Sequence, residues 1–197
     1  MPTLSFFFDF GSTYSYPAAL RIREAAARAG VVARFRPIML GAIFKAQGWV
    51  TSPFNLYPVK GRYMWRDLER VCAKEGLPFR RPSRFPRASL IGTRIACIGA
   101  TEPWGPAFVR GLYAANFVDD QEIGDSDVVA RVLGRIGVDA AGLFERAQSA
   151  EVKMRLRAHT DEAMAHGIFG APSFVVGNEL FWGNDRLAEA LNWAARA

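Results

Sequence analysis

Seven residues near the start, Leu4-Ser5-Phe6-Phe7-Phe8-Asp9-Phe10, carry large aromatic side chains at consecutive as well as alternate positions. Successive side chains of a strand point to opposite faces, so this segment suits a strand covered on both sides, in the middle of a sheet. Gly11-Ser12-Thr13 breaks it. Tyr14 to Ala29 then reads as a helix, with Tyr16, Leu20 and Ala27 on one face and Arg21 and Arg28 on another. Gly30 is a natural helix stop, and Val31 to Ile38 reads as a second strand, ended near Pro37. Two strands joined by such a helix pair in parallel through a right-handed crossover.

From about Met39 to Ala150 the pattern is helical, punctuated by proline and glycine. Its clear segments are Val59 to Glu75, Ser89 to Ile98, Pro106 to Asn116, Asp127 to Ile136 and Ala140 to Ser149. Glu151 to His166 continues as an amphipathic helix stopped by Gly167. Ser173 to Val176 is a strand, Gly177-Asn178 a turn, Leu180 to Trp182 an antiparallel return strand, and Arg186 to Ala195 a last helix behind Gly183-Asn184-Asp185. Without the helical block the order is β-α-β then α-β-β-α, which resembles the thioredoxin arrangement. The expected fold is therefore α/β, a thioredoxin-like domain (1–38 and 151–197) carrying an inserted helical subdomain (39–150), with the ligand cleft between the two.

Composition narrows the function. Half of the 197 residues are apolar, enough for a substantial core, and no apolar run reaches the ~20 residues of a membrane helix. Met1-Pro2-Thr3-Leu4-Ser5-Phe6 has no basic region or cleavage site and reads as the first strand, so the cytoplasm is the expected location. Cys72 and Cys97 form no C-x-x-C pair and sit in helix-like apolar surroundings, as buried free thiols would. His159 and His166, without a cysteine or carboxylate cluster, read as surface residues, and no metal site is expected. The net charge of +6 favours an anionic partner. The densest basic run, Arg80 to Arg87, is broken by prolines and reads as a loop, and no nucleic-acid recognition motif accompanies it.

Three short segments carry chemistry. In Asp9-Phe10-Gly11-Ser12-Thr13-Tyr14-Ser15-Tyr16, Ser12 lies where a strand turns into the first helix. A hydroxyl and the free N–H groups of a helix start stabilise an anion there, a thiolate included. Ser12-x-x-Ser15 has the spacing of a redox C-x-x-C with oxygen in place of both sulfurs, which excludes disulfide exchange; a plain helix cap is the alternative role for Ser12. In Phe169-Gly170-Ala171-Pro172-Ser173-Phe174, a proline directly before a strand is a candidate cis-proline that would offer the backbone of Ala171 to an extended, peptide-like ligand. In Trp182-Gly183-Asn184-Asp185-Arg186, backbone N–H groups, a carboxylate and a guanidinium converge at the last helix, able to cap it or to meet a ligand's ammonium and carboxylate.

With these segments in view the chain resembles the 2-hydroxychromene-2-carboxylate isomerase family, related to kappa-class glutathione transferases and the DsbA group. The resemblance spans the chain and is strongest over Phe8 to Tyr16, Phe169 to Pro172 and Phe181 to Leu187. A weaker match joins Asn55, Pro58, Lys60 and Tyr63 with Asp67 and Arg70, and Thr13 stands where the family commonly has proline. It implies glutathione as cofactor, lying along Ala171-Pro172 with its γ-glutamyl end near Gly183, Asn184, Asp185 and Arg186, and Ser12 as the catalytic residue beside its sulfur. It further implies a small aromatic carboxylate as substrate, met by Asn55, Lys60 and Phe85, and a homodimer; a solvated lysine at a helix end and a turn asparagine are the alternative roles of Lys60 and Asn55. A glutathione transferase and a non-catalytic DsbA-like binding module are the alternatives. A nucleic-acid or membrane partner is not expected.

Overall fold

The computed structural model describes residues 1–196. The sheet has the order β2-β1-β3-β4. Strand β1 (Thr3–Phe8) runs parallel to β2 (Val32–Pro37), with Phe6 opposite Phe35, and antiparallel to β3 (Ser173–Val176), with Phe6 opposite Phe174. Strand β3 pairs antiparallel with β4 (Glu179–Trp182). The aromatic segment is thus a central strand, and both of its faces are covered. Phe6 and Phe8 point into the main core with Phe35 and Phe174, while Phe7 points the other way against Ile38, Ile43, Ile168 and Val175.

Helix α1 (Ser15–Arg28) makes the crossover. Its buried side is Tyr16, Ala19, Ile22 and Ala26, rotated slightly from the expected one: Leu20 is half-buried and Ala27 exposed. Among the described residues, eight helices lie between β2 and β3. They are α2 (Leu40–Ala46), α3 (Pro53–Leu56), α4 (Pro58–Lys74), α5 (Leu90–Gly99), α6 (Gly105–Phe117), α7 (Ser126–Arg135), α8 (Ala141–Gln148) and α9 (Ala150–Ala165). Helix α10 (Leu187–Ala194) closes the chain behind a single 3-10 turn, Asn184–Arg186. This is the thioredoxin-like α/β fold with a helical insertion.

The insertion is packed onto the sheet rather than appended to it. Met64, Leu68, Phe108, Leu112, Tyr113 and Phe117 share one core with Phe6, Phe8 and Ile22. Two side chains of α6 reach the end of β1: Tyr113 donates to the Asp9 carbonyl (2.8 Å) and Asn116 to the Phe10 carbonyl (3.2 Å). These bonds take the carbonyls of Asp9 and Phe10 away from the ladder, so the strand stops at Phe8, two residues earlier than its aromatic pattern suggests. Gly61 lets α3 lie against α4, since a Cβ there would meet the Phe54 carbonyl oxygen of α3.

The two histidines part ways. His166 is exposed at the end of α9, but His159 is buried, which corrects the surface reading. The His159 ring lies 3.9 Å from Cys97 Sγ on α5, 3.3 Å from the Pro37 carbonyl and 3.4 Å from Arg36 on β2. Burial, then the Arg36 charge, hold the imidazole below its usual pKa, against the Pro37 carbonyl and Glu162. The folded chain therefore keeps His159 neutral at a pH where the unfolded chain protonates it. Its contribution is present above the unfolded value of 6.5 and is lost as pH falls through that value toward the lowered one. We expect the urea midpoint to drop between about pH 7.5 and 5, and His159→Gln to flatten that slope. An identical slope in the variant would assign the acid sensitivity to other groups.

Candidate active site

The turn after β1 is organised by one buried carboxylate. Asp9 accepts the N–H of Gly11 (2.7 Å) and, from across the fold, the N–H of Leu40 at the start of α2 (2.8 Å). The Ser12 N–H closes back onto the Asp9 carbonyl at 2.9 Å. Burial raises the Asp9 pKa, and the two N–H bonds oppose that shift.

Ser12 follows, buried, and its side chain joins two elements distant in sequence. The hydroxyl donates to the Ala171 carbonyl at 2.8 Å and accepts the Ser15 N–H at 3.3 Å, so it ties the first residue of α1 to the segment that leads into β3. The Ala171-Pro172 peptide bond is cis. The Pro172 carbonyl accepts the Gly183 N–H at 3.0 Å, which brings the third segment to the same place. Gly183 has φ +117°, a conformation that favours glycine. Of the residues after it, Asn184 is buried, while Asp185 and Arg186 are exposed. The Arg186 charge is met by Glu189 (3.0 Å) and Asp185 (3.6 Å). Asn184 Oδ1 accepts from Arg21 of α1 at 2.6 Å; that guanidinium also bridges to Glu75 at the end of α4 (3.1 Å).

The insertion supplies the other wall. Thr13 Oγ1 lies 3.1 Å from Met64 Sδ, and the Tyr14 hydroxyl donates to Asp67 at 2.9 Å, both on α4. Burial, and next the Asp67 partner, raise the Tyr14 pKa. Arg70 donates to the other Asp67 oxygen at 3.3 Å. The Tyr14 ring packs against Phe54 of α3, next to Asn55. Asn55 is exposed and donates to Thr51 (3.2 Å). Lys60 is exposed one turn before Met64, its Nζ 4.9 Å from the centre of the Tyr57 ring. Phe85 is half-buried and meets Trp65 edge-on at 4.9 Å, and the Arg81 guanidinium lies over the same indole. The loop carrying Phe85 has a second cis bond, Phe85-Pro86, and is held by buried Arg87, which bonds Asn116, Asp120 and Ser83.

Ser12, Ala171, Pro172, Gly183 and Asn184 are therefore linked by hydrogen bonds or chain adjacency. Asp185 and Arg186 stand at the rim. Asn55, Lys60 and Phe85 lie on the insertion, with Thr51, Tyr57 and Trp65 as their partners. Among the described residues no hydrogen bond joins them to the Ser12, Ala171 or Gly183 segments, and Asn55 is next in sequence to Phe54, which packs on Tyr14. Sequence reasoning missed three features of the site: the commitment of Arg21 to Asn184 and Glu75, the two N–H bonds accepted by the Asp9 carboxylate, and the pairing of Tyr14 with Asp67. Ser15 is fully buried. The free thiols Cys72 and Cys97 are also buried, and burial pushes them up to about 11 and about 12. Neither is a thiolate near neutral pH, and neither lies in the turn.

A central β-α-β sheet, a cis-proline before β3 and a helix start facing it define a thioredoxin-type protein. The chain matches the DSBA-like thioredoxin domain family over residues 3–192. It is 31% identical over 186 residues to a 2-hydroxychromene-2-carboxylate isomerase of Sphingobium xenophagum, covering 94% of each chain. A kappa 2 glutathione S-transferase of Caenorhabditis elegans is 28% identical over 206 residues, covering 98% of this chain and 91% of the relative. A solved 2-hydroxychromene-2-carboxylate isomerase superposes with a TM-score of 0.88 at 26% identity, over 98% of this chain and 95% of that one. The chain belongs to the DSBA-like thioredoxin family and, within it, to the 2-hydroxychromene-2-carboxylate isomerase group. The names of these relatives support an enzyme of isomerase or glutathione-transferase type. No described helix is long and apolar enough to cross a membrane.

Proposed function

We propose that the chain is a glutathione-dependent isomerase acting on 2-hydroxychromene-2-carboxylate-type substrates. The observation that carries this reading is the contact of the Ser12 hydroxyl with Ala171 beside the cis-proline, with Gly183 bonded to Pro172. Glutathione lies along Ala171-Pro172, its γ-glutamyl end at the Gly183–Arg186 turn and its sulfur at Ser12. Ser12 and the start of α1 favour the thiolate. The sulfur adds to the carbon–carbon double bond of the ring-opened substrate, placing the electron pair on the conjugated carbonyl. The bond, now single, rotates; the electrons return, the C–S bond breaks and the trans benzylidenepyruvate forms. Glutathione is regenerated, so atoms and electrons balance without an oxidant. Asn55 and Lys60 hold the substrate carboxylate and Phe85 its ring. The protein contributes orientation and charge stabilisation. We place the enzyme in the cytoplasm as a homodimer, with residues 39–150 forming the substrate-shaping subdomain on the 1–38 and 151–197 domain.

The transferase reading is kept because a kappa-class relative matches nearly the whole chain. Mixing enzyme, glutathione and 2-hydroxychromene-2-carboxylate separates the two. Product absorbance without loss of free thiol supports isomerisation; stoichiometric thiol loss makes the protein a transferase. No product above background, with a transferase substrate turned over instead, removes the isomerase reading.

A further inference from the structure

Arg21 lies outside the segments that suggested the site, on a face of α1 that reads as solvent-exposed. Its side chain is only 26% exposed and is committed at three points. Nε donates to the Pro17 carbonyl (3.1 Å), one terminal nitrogen donates to Asn184 Oδ1 (2.6 Å) and the other meets Glu75 (3.1 Å). These contacts have a chemical consequence for Asn184. A guanidinium has only donors, so it can satisfy only the oxygen end of an amide. Facing Arg21 fixes the amide's orientation and leaves the two Nδ2 N–H donors for whatever approaches the turn. The same guanidinium is a strut between α1, the Gly183–Arg186 turn and the C-terminal end of α4, whose earlier turns carry Lys60, Met64 and Asp67.

We propose that Arg21 is a positioning residue that orients Asn184 to donate to a ligand carboxylate, and so makes the site selective for thiols with a γ-glutamyl end. The inference rests on the glutathione reading above. Asp185, 74% exposed beside Asn184, is the acceptor available to the ammonium of the same α-amino-acid group. Recognition at this turn belongs to the γ-glutamyl part of the ligand rather than to its glycine. γ-Glutamylcysteine is therefore accepted in place of glutathione, and cysteinylglycine is not.

The test is calorimetry and steady-state kinetics on the full-length chain, with glutathione, γ-glutamylcysteine and cysteinylglycine as probes. Wild type should bind the first two within about tenfold of each other and the third far more weakly. Arg21→Met should raise the glutathione KM roughly tenfold or more, leave kcat at saturation nearly unchanged and reduce the preference for γ-glutamylcysteine over cysteinylglycine. Arg21→Lys, which can still donate to Oδ1, should restore part of the affinity. Asn184→Asp keeps an oxygen toward Arg21 and replaces the donors with a second oxygen. It should lose affinity while melting like wild type, so the proposal stays testable even where Arg21→Met folds poorly. Wild-type KM and discrimination in Asn184→Asp, or a fall in kcat with KM unchanged in Arg21→Met, would overturn the role given to Arg21. Wild type failing to bind either γ-glutamyl thiol would overturn the cofactor reading as well, and the wild-type titration alone distinguishes the two failures.

Discussion

Ser12→Ala is expected to lower turnover by roughly ten- to a hundredfold, and Ser15→Ala to leave it nearly unchanged. Both serines belong to the same turn, but their surroundings differ. The Ser12 hydroxyl faces the cis-proline segment and donates across to Ala171. Ser15 is fully buried at the start of α1, where its loss bears on packing. A hydrogen bond to a charged partner contributes about 1.5–3 kcal/mol, which sets the size of the expected effect. If glutathione is the cofactor proposed above, the same substitution should raise the pKa of its thiol in the complex, read from the ultraviolet absorbance of the thiolate, because one donor and its field are removed. Small and equal losses in the two variants would reduce Ser12 to a helix cap.

Asp9→Ala should be the most damaging single change to the fold near the site. It leaves the N–H groups of Gly11 and Leu40 without their acceptor, at about 1–3 kcal/mol each. For a chain of this length that corresponds to a fall in Tm of roughly 5–20 °C, measurable by calorimetry. Asp9→Asn keeps one acceptor oxygen and should lose less. The pH dependence has a definite sign. With its folded-state pKa raised by burial, Asp9 binds its proton more tightly in the folded chain than in the unfolded one. That contribution is fully present below the unfolded value of 3.8 and is lost as pH rises through the raised one. The stability advantage of wild type over Asp9→Asn is therefore largest in acid and shrinks toward neutrality. An advantage that grows with pH would mean that the two N–H bonds outweigh desolvation.

The central strand was legible because few arrangements satisfy aromatic residues on both faces, and the cis peptide at Pro172 followed from the order of elements around it. Most long helices were legible from their proline and glycine boundaries. Helices α2 and α3, seven and four residues long, are too short to show a period. The end of β1 is not legible locally, because its termination depends on Tyr113 and Asn116, more than a hundred residues away. Arg21 shows the same limit in the site. Its helical position correctly put it off the main apolar face, but the partners that commit it, Glu75 and Asn184, come from other elements. The burial of His159 is not legible for the same reason: a polar residue on an amphipathic helix reads as solvent-facing until a second element covers it. What was legible was local pattern; what was not was the pairing of polar groups over long separations.

The bond from Ser12 to Ala171 has a consequence for which thiols the proposed enzyme can use. A serine hydroxyl has a single hydrogen, and in the folded chain that hydrogen is already engaged by the Ala171 carbonyl. To serve a sulfur anion it must swing away, and the carbonyl then needs a replacement donor. A peptide-like thiol brings one in its own amide N–H. Docking of the ligand backbone and release of the hydroxyl thus become one exchange, in which no polar group is left without a partner. A simple alkyl thiol brings no such donor, so it would have to strand the carbonyl to reach the hydroxyl. Latch and key are chemically matched: the ligand that opens the contact is the kind whose sulfur the freed hydroxyl is placed to stabilise.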